Sequence, residues 1–167
     1  MKCLVTGGSG FLGSYVADEL TKAGHSVTIF DKKVSKWINK KQKMIVGNLR
    51  NSNKIETQIK KNDYVFHFAG LANLNEALSK PSETVIDNIL ATINLLKLCK
   101  KYKIKRFVYA SSIYVLSEQG GFYRVSKKAA EEYIEEFSRR LNLKFTIIRY
   151  GTIYGKRSNS ENGVTRV

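Results

Sequence analysis

Short apolar runs alternate with longer amphipathic stretches along most of the chain. Residues 2–6 (Lys-Cys-Leu-Val-Thr) read as a brief β-strand that stops at glycines, and over 11–23 the apolar positions Leu12, Val16 and Leu20 fall at helical spacing. Further strands are predicted at 26–30, 44–46, 64–68, 106–110 and 144–148, most of them rich in β-branched or aromatic side chains. Two long helices are predicted at 82–102 and 122–141. The first is opened by Pro81, the only proline, whose fixed φ and missing N–H cost nothing at a helix start. Continuous apolar strands separated by helices belong in a parallel sheet buried on both faces. The pattern therefore predicts an α/β fold, a Rossmann-type doubly wound parallel sheet with helices on both faces. Only the stretch from residue 156 to 167 shows no period.

Composition narrows the class. A chain of 167 residues with 43% hydrophobic residues makes one ordinary domain with a real core, which excludes disordered and fibrous classes. No run of about 18 apolar residues exists, so no membrane partner is expected. Glycines at 7 and 8 arrive too early for the apolar segment of a signal peptide. Cys3 and Cys99 lie 96 positions apart, which makes neither a metal cluster nor a redox pair, and a reduced, cytoplasmic protein without a metal is expected. The net charge is +15, yet 21 of the 29 cations are Lys spread along the chain. The one concentrated stretch, 32–43, has six Lys and no acid, and reads as a solvated loop. No nucleic-acid partner is expected from charge alone.

The first candidate chemistry sits between the first strand and the first helix. In Gly7-Gly8-Ser9-Gly10-Phe11-Leu12-Gly13 the glycines at 7, 10 and 13 form a GxxGxxG pattern. Gly7 and Gly10 permit a tight turn and close backbone approach to a pyrophosphate, while Gly13 lets the helix lie against the strand. The helix N-terminus brings free N–H groups and partial positive charge to that anion. Asp31, 18 residues after Gly13 and at the end of the second strand, is placed to hold the two hydroxyls of an adenosine ribose. Its carboxylate would repel a 2′-phosphate, which favours NAD, although Lys32 and Lys33 leave NADP open.

A second constellation follows the fifth strand. Ser111 and Ser112 end that strand, where open α/β sheets bind ligands. Eleven residues past Ser112 come Tyr123 and, four further on, Lys127, which share one face at the start of a predicted helix. An ammonium near a phenol favours the phenolate and lowers its pKa. Tyr123 as general base, Lys127 as its tuner and Ser112 as an orienting donor are the equipment for oxidising an alcohol by hydride transfer to NAD. His67 reads as a packed histidine, His25 as a turn residue and Trp37 as a half-exposed loop anchor.

Taken in order, these motifs resemble the extended short-chain dehydrogenase/reductase family, in its NAD-dependent epimerase/dehydratase branch, and within that the nucleotide-sugar 4-epimerase group. The matching positions are Gly7, Gly10 and Gly13, then Asp31, the strand end His67-Phe68-Ala69-Gly70, Asn88, Ser112, Tyr123 with Lys127, and Arg149-Tyr150 with Tyr154-Gly155. Phe11 and Leu12 of the glycine loop and Lys32 beside Asp31 are further candidate cofactor-binding residues, and the resemblance implies that Phe68, Ala69 and Gly70 lie against the cofactor. It also implies that Asn88 braces the catalytic region, that Tyr150 lines the nicotinamide side, and that Lys127 holds the nicotinamide ribose. Asn48 and Leu49 stand where the family often has Asp and its neighbour at the adenine, so Asn48 would accept the amino-group bond through its carbonyl.

Other departures bear on the reaction. Ala72 stands where the 4-epimerase group usually has Lys. Ile113 and Tyr114 follow Ser112 where dehydratases carry Asp-Glu, so elimination is disfavoured. The segment from Ser112 to Tyr123 is short for the family. The expected organisation is a dinucleotide-binding domain over 1–157 and an irregular tail, 158–167, beginning a C-terminal substrate domain that is largely absent. The expected function is epimerisation of a nucleotide sugar. An idle NAD-binding module or sensor and a reductase of the same fold are the alternatives. Apolar residues on more than one face of helix 82–102 point to a homodimer through helices 82–102 and 122–141, which the resemblance implies as well.

Overall fold

The computed structural model describes residues 1–158, so residues 159–167 of the expected tail lie outside the described residues. Six strands form one parallel sheet: β1 (Lys2–Thr6), β2 (Ser26–Asp31), β3 (Gln42–Val46), β4 (Tyr64–His67), β5 (Arg106–Ser112) and β6 (Phe145–Tyr150). Their order across the sheet is β3-β2-β1-β4-β5-β6. The chain winds outward from β1 in one direction, then returns to β4 and winds the other way, which opens a crevice where the direction reverses. No helix of the described residues is long and apolar enough to cross a membrane.

Alternating side chains on the central strands feed both faces. Leu4, Phe30, Val65, Phe107 and Tyr109 pack beneath α2 (Ser52–Ile59), α5 (Ala91–Lys101) and α6 (Gly121–Leu141). Val5, Val27 and Ile29 meet Ala17 of α1 (Phe11–Lys22) on the opposite face. The doubly wound sheet read from the sequence is the fold observed. Cys3 and Cys99 are fully buried free thiols, and burial pushes both above the usual cysteine pKa.

Three differences from the sequence reading have physical causes. β5 and β6 run further than expected, because Ser111 and Ser112 pair with Arg149 and Tyr150 and keep the ladder going to the cleft. Two short helices were not expected, α2 and α3 (Leu74–Ser79). α2 is held by Ile55 and Ile59, one turn apart and both buried, while α3 is capped by the Asn73 side chain accepting from the Glu76 N–H at 2.9 Å. The helix expected over 82–102 is α4 (Pro81–Thr84) and α5 joined by a π-helical segment, Val85–Leu90.

That segment ties the centre of the molecule together. Asn88, 1% exposed, accepts from the Leu71 N–H (2.7 Å) and donates to the Leu71 carbonyl (3.0 Å) and the Ser126 hydroxyl (2.9 Å). It thereby joins the loop after β4 to α6. Thr92 spends its only proton on the Asn88 carbonyl (2.7 Å), so its oxygen accepts from Nε2–H of His67 (3.0 Å). Nδ1 of His67 then accepts from the Thr6 hydroxyl at 2.7 Å. His67 is a neutral core residue, its pKa lowered to about 3 by burial and then by the Lys127 charge.

Candidate functional site

A cleft of about 860 Å³ opens at the carboxyl ends of the strands. Every residue expected to bind the cofactor or act in catalysis borders it except Asn88, which is buried behind it.

The glycine loop forms its floor. Gly7 adopts φ +73°, and a Cβ there or on Gly13 would collide with backbone: Ala69 and Phe68 in the first case, Gly7 itself in the second. Gly10 precedes α1 without a side-chain cap, and the first turn carries no acid. The first amides of the helix are thus left as donors at the cleft, an arrangement suited to a pyrophosphate. Asp31 closes β2 above the loop, where Oδ2 accepts from the Ser9 N–H (3.0 Å) and Oδ1 from the Lys33 N–H (3.2 Å). Each oxygen keeps a lone pair for a ribose hydroxyl. The Asn48 side-chain carbonyl accepts from the Arg50 N–H at 3.0 Å, so this oxygen also braces its own loop.

At the far end, Ser112 is 6% exposed and Ser111 4%, and the Ser111 hydroxyl has no partner among the described residues. Tyr123 lies in the first turn of α6 against the ring of Tyr114, edge to face at 6.4 Å. Lys127 is 6% exposed and its ammonium donates to the Ala110 carbonyl at 2.8 Å, 4.7 Å from the Tyr109 ring centre and 5.8 Å from that of Tyr123. Burial lowers its pKa to about 8, partly countered by Glu131. Glu131 in turn is held by Arg149 at 2.7 Å.

Burial raises the Tyr123 phenol above its ordinary pKa, and the contribution that lowers it is the neighbouring Ser112 hydroxyl, with the Tyr114 phenol adding a small upward push. The Lys127 ammonium donates to the Ala110 carbonyl and lies 5.8 Å from the centre of the Tyr123 ring. The ammonium has three N–H donors and that single hydrogen-bond acceptor among the described residues, so donors remain for ligand hydroxyls in the cleft. Tyr150 stands opposite, its ring 6.3 Å from that of Phe68.

Sequence reasoning passed over two charged groups at the rim. Asp87, beside Asn88 on the π turn, pairs with Arg50 (2.7 Å) and Lys32 (3.1 Å). Arg157 pairs with Asp18 at 2.7 Å and stacks over Tyr15 and Trp37, which makes Trp37 the loop anchor expected of it. No local pattern announces Arg157, whose partners lie more than a hundred positions away.

A doubly wound sheet with a glycine loop at its switch point and Ser, Tyr and Lys converging at the next strand end defines a short-chain dehydrogenase/reductase-type domain. Within that class the chain belongs to the NAD dependent epimerase/dehydratase family, whose model matches residues 3–167. It is 30% identical over 184 residues to a putative UDP-glucose 4-epimerase of Methanocaldococcus jannaschii, covering 98% of this chain and 60% of that protein. Among solved structures it is similar to the UDP-glucose 4-epimerase of Thermus thermophilus in complex with NAD, with a TM-score of 0.90 at 27% identity and 99% of this chain covered. The UDP-glucose 4-epimerase of Thermotoga maritima with UDP-glucose also gives a TM-score of 0.90, at 30% identity over 98% of this chain. In each case the chain spans about 60% of the relative's length.

Proposed function

We propose that this chain is the NAD-binding part of a nucleotide-sugar epimerase acting in the cytoplasm on UDP-sugars. The observation that carries the reading is a single cleft bordered at one end by the glycine loop and Asp31 and at the other by Ser112, Tyr123 and Lys127. The bare amides of α1 would hold the pyrophosphate, Asp31 the adenosine ribose, and the spare donors of Lys127 the nicotinamide ribose. Bound there, NAD supplies the acceptor and later the donor of the hydride taken from a sugar carbon. Tyr123 removes the hydroxyl proton through its phenolate oxygen and returns it after the sugar has turned over. Ser112, whose hydroxyl eases ionisation of Tyr123 while the cleft is empty, turns its one proton to the substrate oxygen when the sugar is bound. Neither Ile113 nor Tyr114 offers the carboxylate that elimination would use, which favours epimerisation over dehydration.

A homodimer belongs to the same reading. Val85, Phe122 and Val125 are half-exposed apolar side chains around a shallow groove between the π segment and α6, the two helices from which the pairing was expected.

The test is calorimetric titration of the chain with NAD and NADP, beside turnover assays on a panel of UDP-, GDP- and dTDP-sugars with the longer family-length polypeptide. Tighter NAD binding and turnover of a UDP-sugar are expected. Equal or tighter NADP binding would move the assignment from Asp31 to Lys32 and Lys33.

A further inference from the structure

Three charged side chains meet at the adenosine end of the cleft, brought from three separate segments. Lys32 follows Asp31 at the end of β2, Arg50 lies in the loop beyond β3, and Asp87 reaches across from the π turn. Oδ1 of Asp87 accepts from Nε of Arg50 at 2.7 Å, and Oδ2 from Nζ of Lys32 at 3.1 Å. The Asp87 side chain is only 15% exposed, against 54% for Lys32 and 40% for Arg50, so the acid is the fixed member and the cations are drawn to it. Both Lys32 and Asp87 border the cleft with Asp31.

We propose that Asp87 is a second determinant of dinucleotide choice: it occupies the two cations beside Asp31 that would otherwise attract the 2′-phosphate of NADP. The inference rests on the dinucleotide-binding role proposed above. The two dinucleotides differ at this end by a neutral hydroxyl against a doubly charged phosphate. Lys32 and Arg50 without Asp87 would leave two positive charges at the rim, enough to offset the repulsion from Asp31. With Asp87 in place, a 2′-phosphate must break two charge-assisted bonds and approach a second carboxylate. Burial pushes the Asp87 carboxyl up, but the Arg50 and Lys32 bonds outweigh it and hold the group below the usual carboxylate range, so it is ionised whenever the protein is near neutral pH. An acid that only stabilised the fold would leave the balance between the two cofactors where it was.

The experiment is titration of the 167-residue chain with NADH and with NADPH, followed by the fluorescence of the reduced nicotinamide. The unsubstituted chain should bind NADH more tightly. Asp87→Asn, equal in shape but uncharged, should raise the affinity for NADPH relative to NADH about tenfold, the scale of one partly exposed charge set. Asp87→Ser should do the same, and Asp87→Glu should keep the original preference. Adding Lys32→Ala to Asp87→Asn should return the ratio toward its starting value. NADH binding with a ratio that stays within about twofold in both neutral variants overturns this inference alone. Failure of the unsubstituted chain to bind either dinucleotide overturns the proposed function and this inference with it.

Discussion

A phenol works as a general base when its oxygen releases a proton near the working pH, and burial of Tyr123 opposes that release. Ser112 supplies the counter-effect within the described residues, so the two side chains form one functional unit. In the family-length enzyme, Tyr123→Phe should cut turnover at least about a hundredfold, the usual worth of positioned proton transfer, while calorimetry finds NAD affinity within about twofold. Lys127 has a separate signature. Folded, it loses its proton near pH 8; unfolded, at the ordinary lysine value of 10.5. Between those values the unfolded chain binds more protons, so this residue's contribution makes the fold more stable as pH rises through the window. Below pH 8 its buried charge carries a full cost, of up to about 3 kcal/mol. Denaturant titrations of the ligand-free chain should therefore show Lys127→Met gaining stability relative to the unsubstituted chain at about pH 7, with the gain shrinking toward about pH 10.

At the level of elements, what the sequence made legible was what carries its own period. The six strands and the long helices were readable because each is an apolar run or stripe long enough to be seen alone. The glycine loop was readable because its residues are consecutive, and the spacing of Tyr123 and Lys127 already placed them on one face. α2 was not: Ile55 and Ile59 are its only apolar residues, and their burial, worth about 1.5–3 kcal/mol each, comes entirely from neighbours distant in sequence. α3 did leave a trace, Asn73 followed three residues later by Glu76, a capping signal without a hydrophobic stripe behind it. The π segment left none. Its extra residue per turn is a property of packing, yet it is what sets Asn88 inward onto Leu71 and Asp87 outward onto Arg50 and Lys32. The direction of the Lys127 ammonium was likewise invisible, because the acceptor that captures it is a backbone carbonyl of β5 and not a side chain.

For the molecule as a whole, the charge of +15 says little about fold and much about encounter: anionic ligands are drawn to it, and the attraction fades with salt. The groove between the π segment and α6 presents Val85, Phe122 and Val125 as half-exposed apolar side chains. Sedimentation should report a dimer of the 18.9 kDa chain, and Val125→Glu should shift it to monomer without lowering NAD affinity, since Val125 does not border the cleft. The two sequestered cysteines give the fold its own clock. Cys3 lies in the middle of the sheet on β1 and Cys99 on α5, and neither thiol meets solvent while the layers stay closed. A thiol-trapping reagent is therefore silent toward the native chain and reacts only when a layer parts. Equal trapping rates at the two positions would mean that sheet and helix open as one unit, whereas faster capture of Cys99 would time the lifting of α5 from a sheet that is still intact.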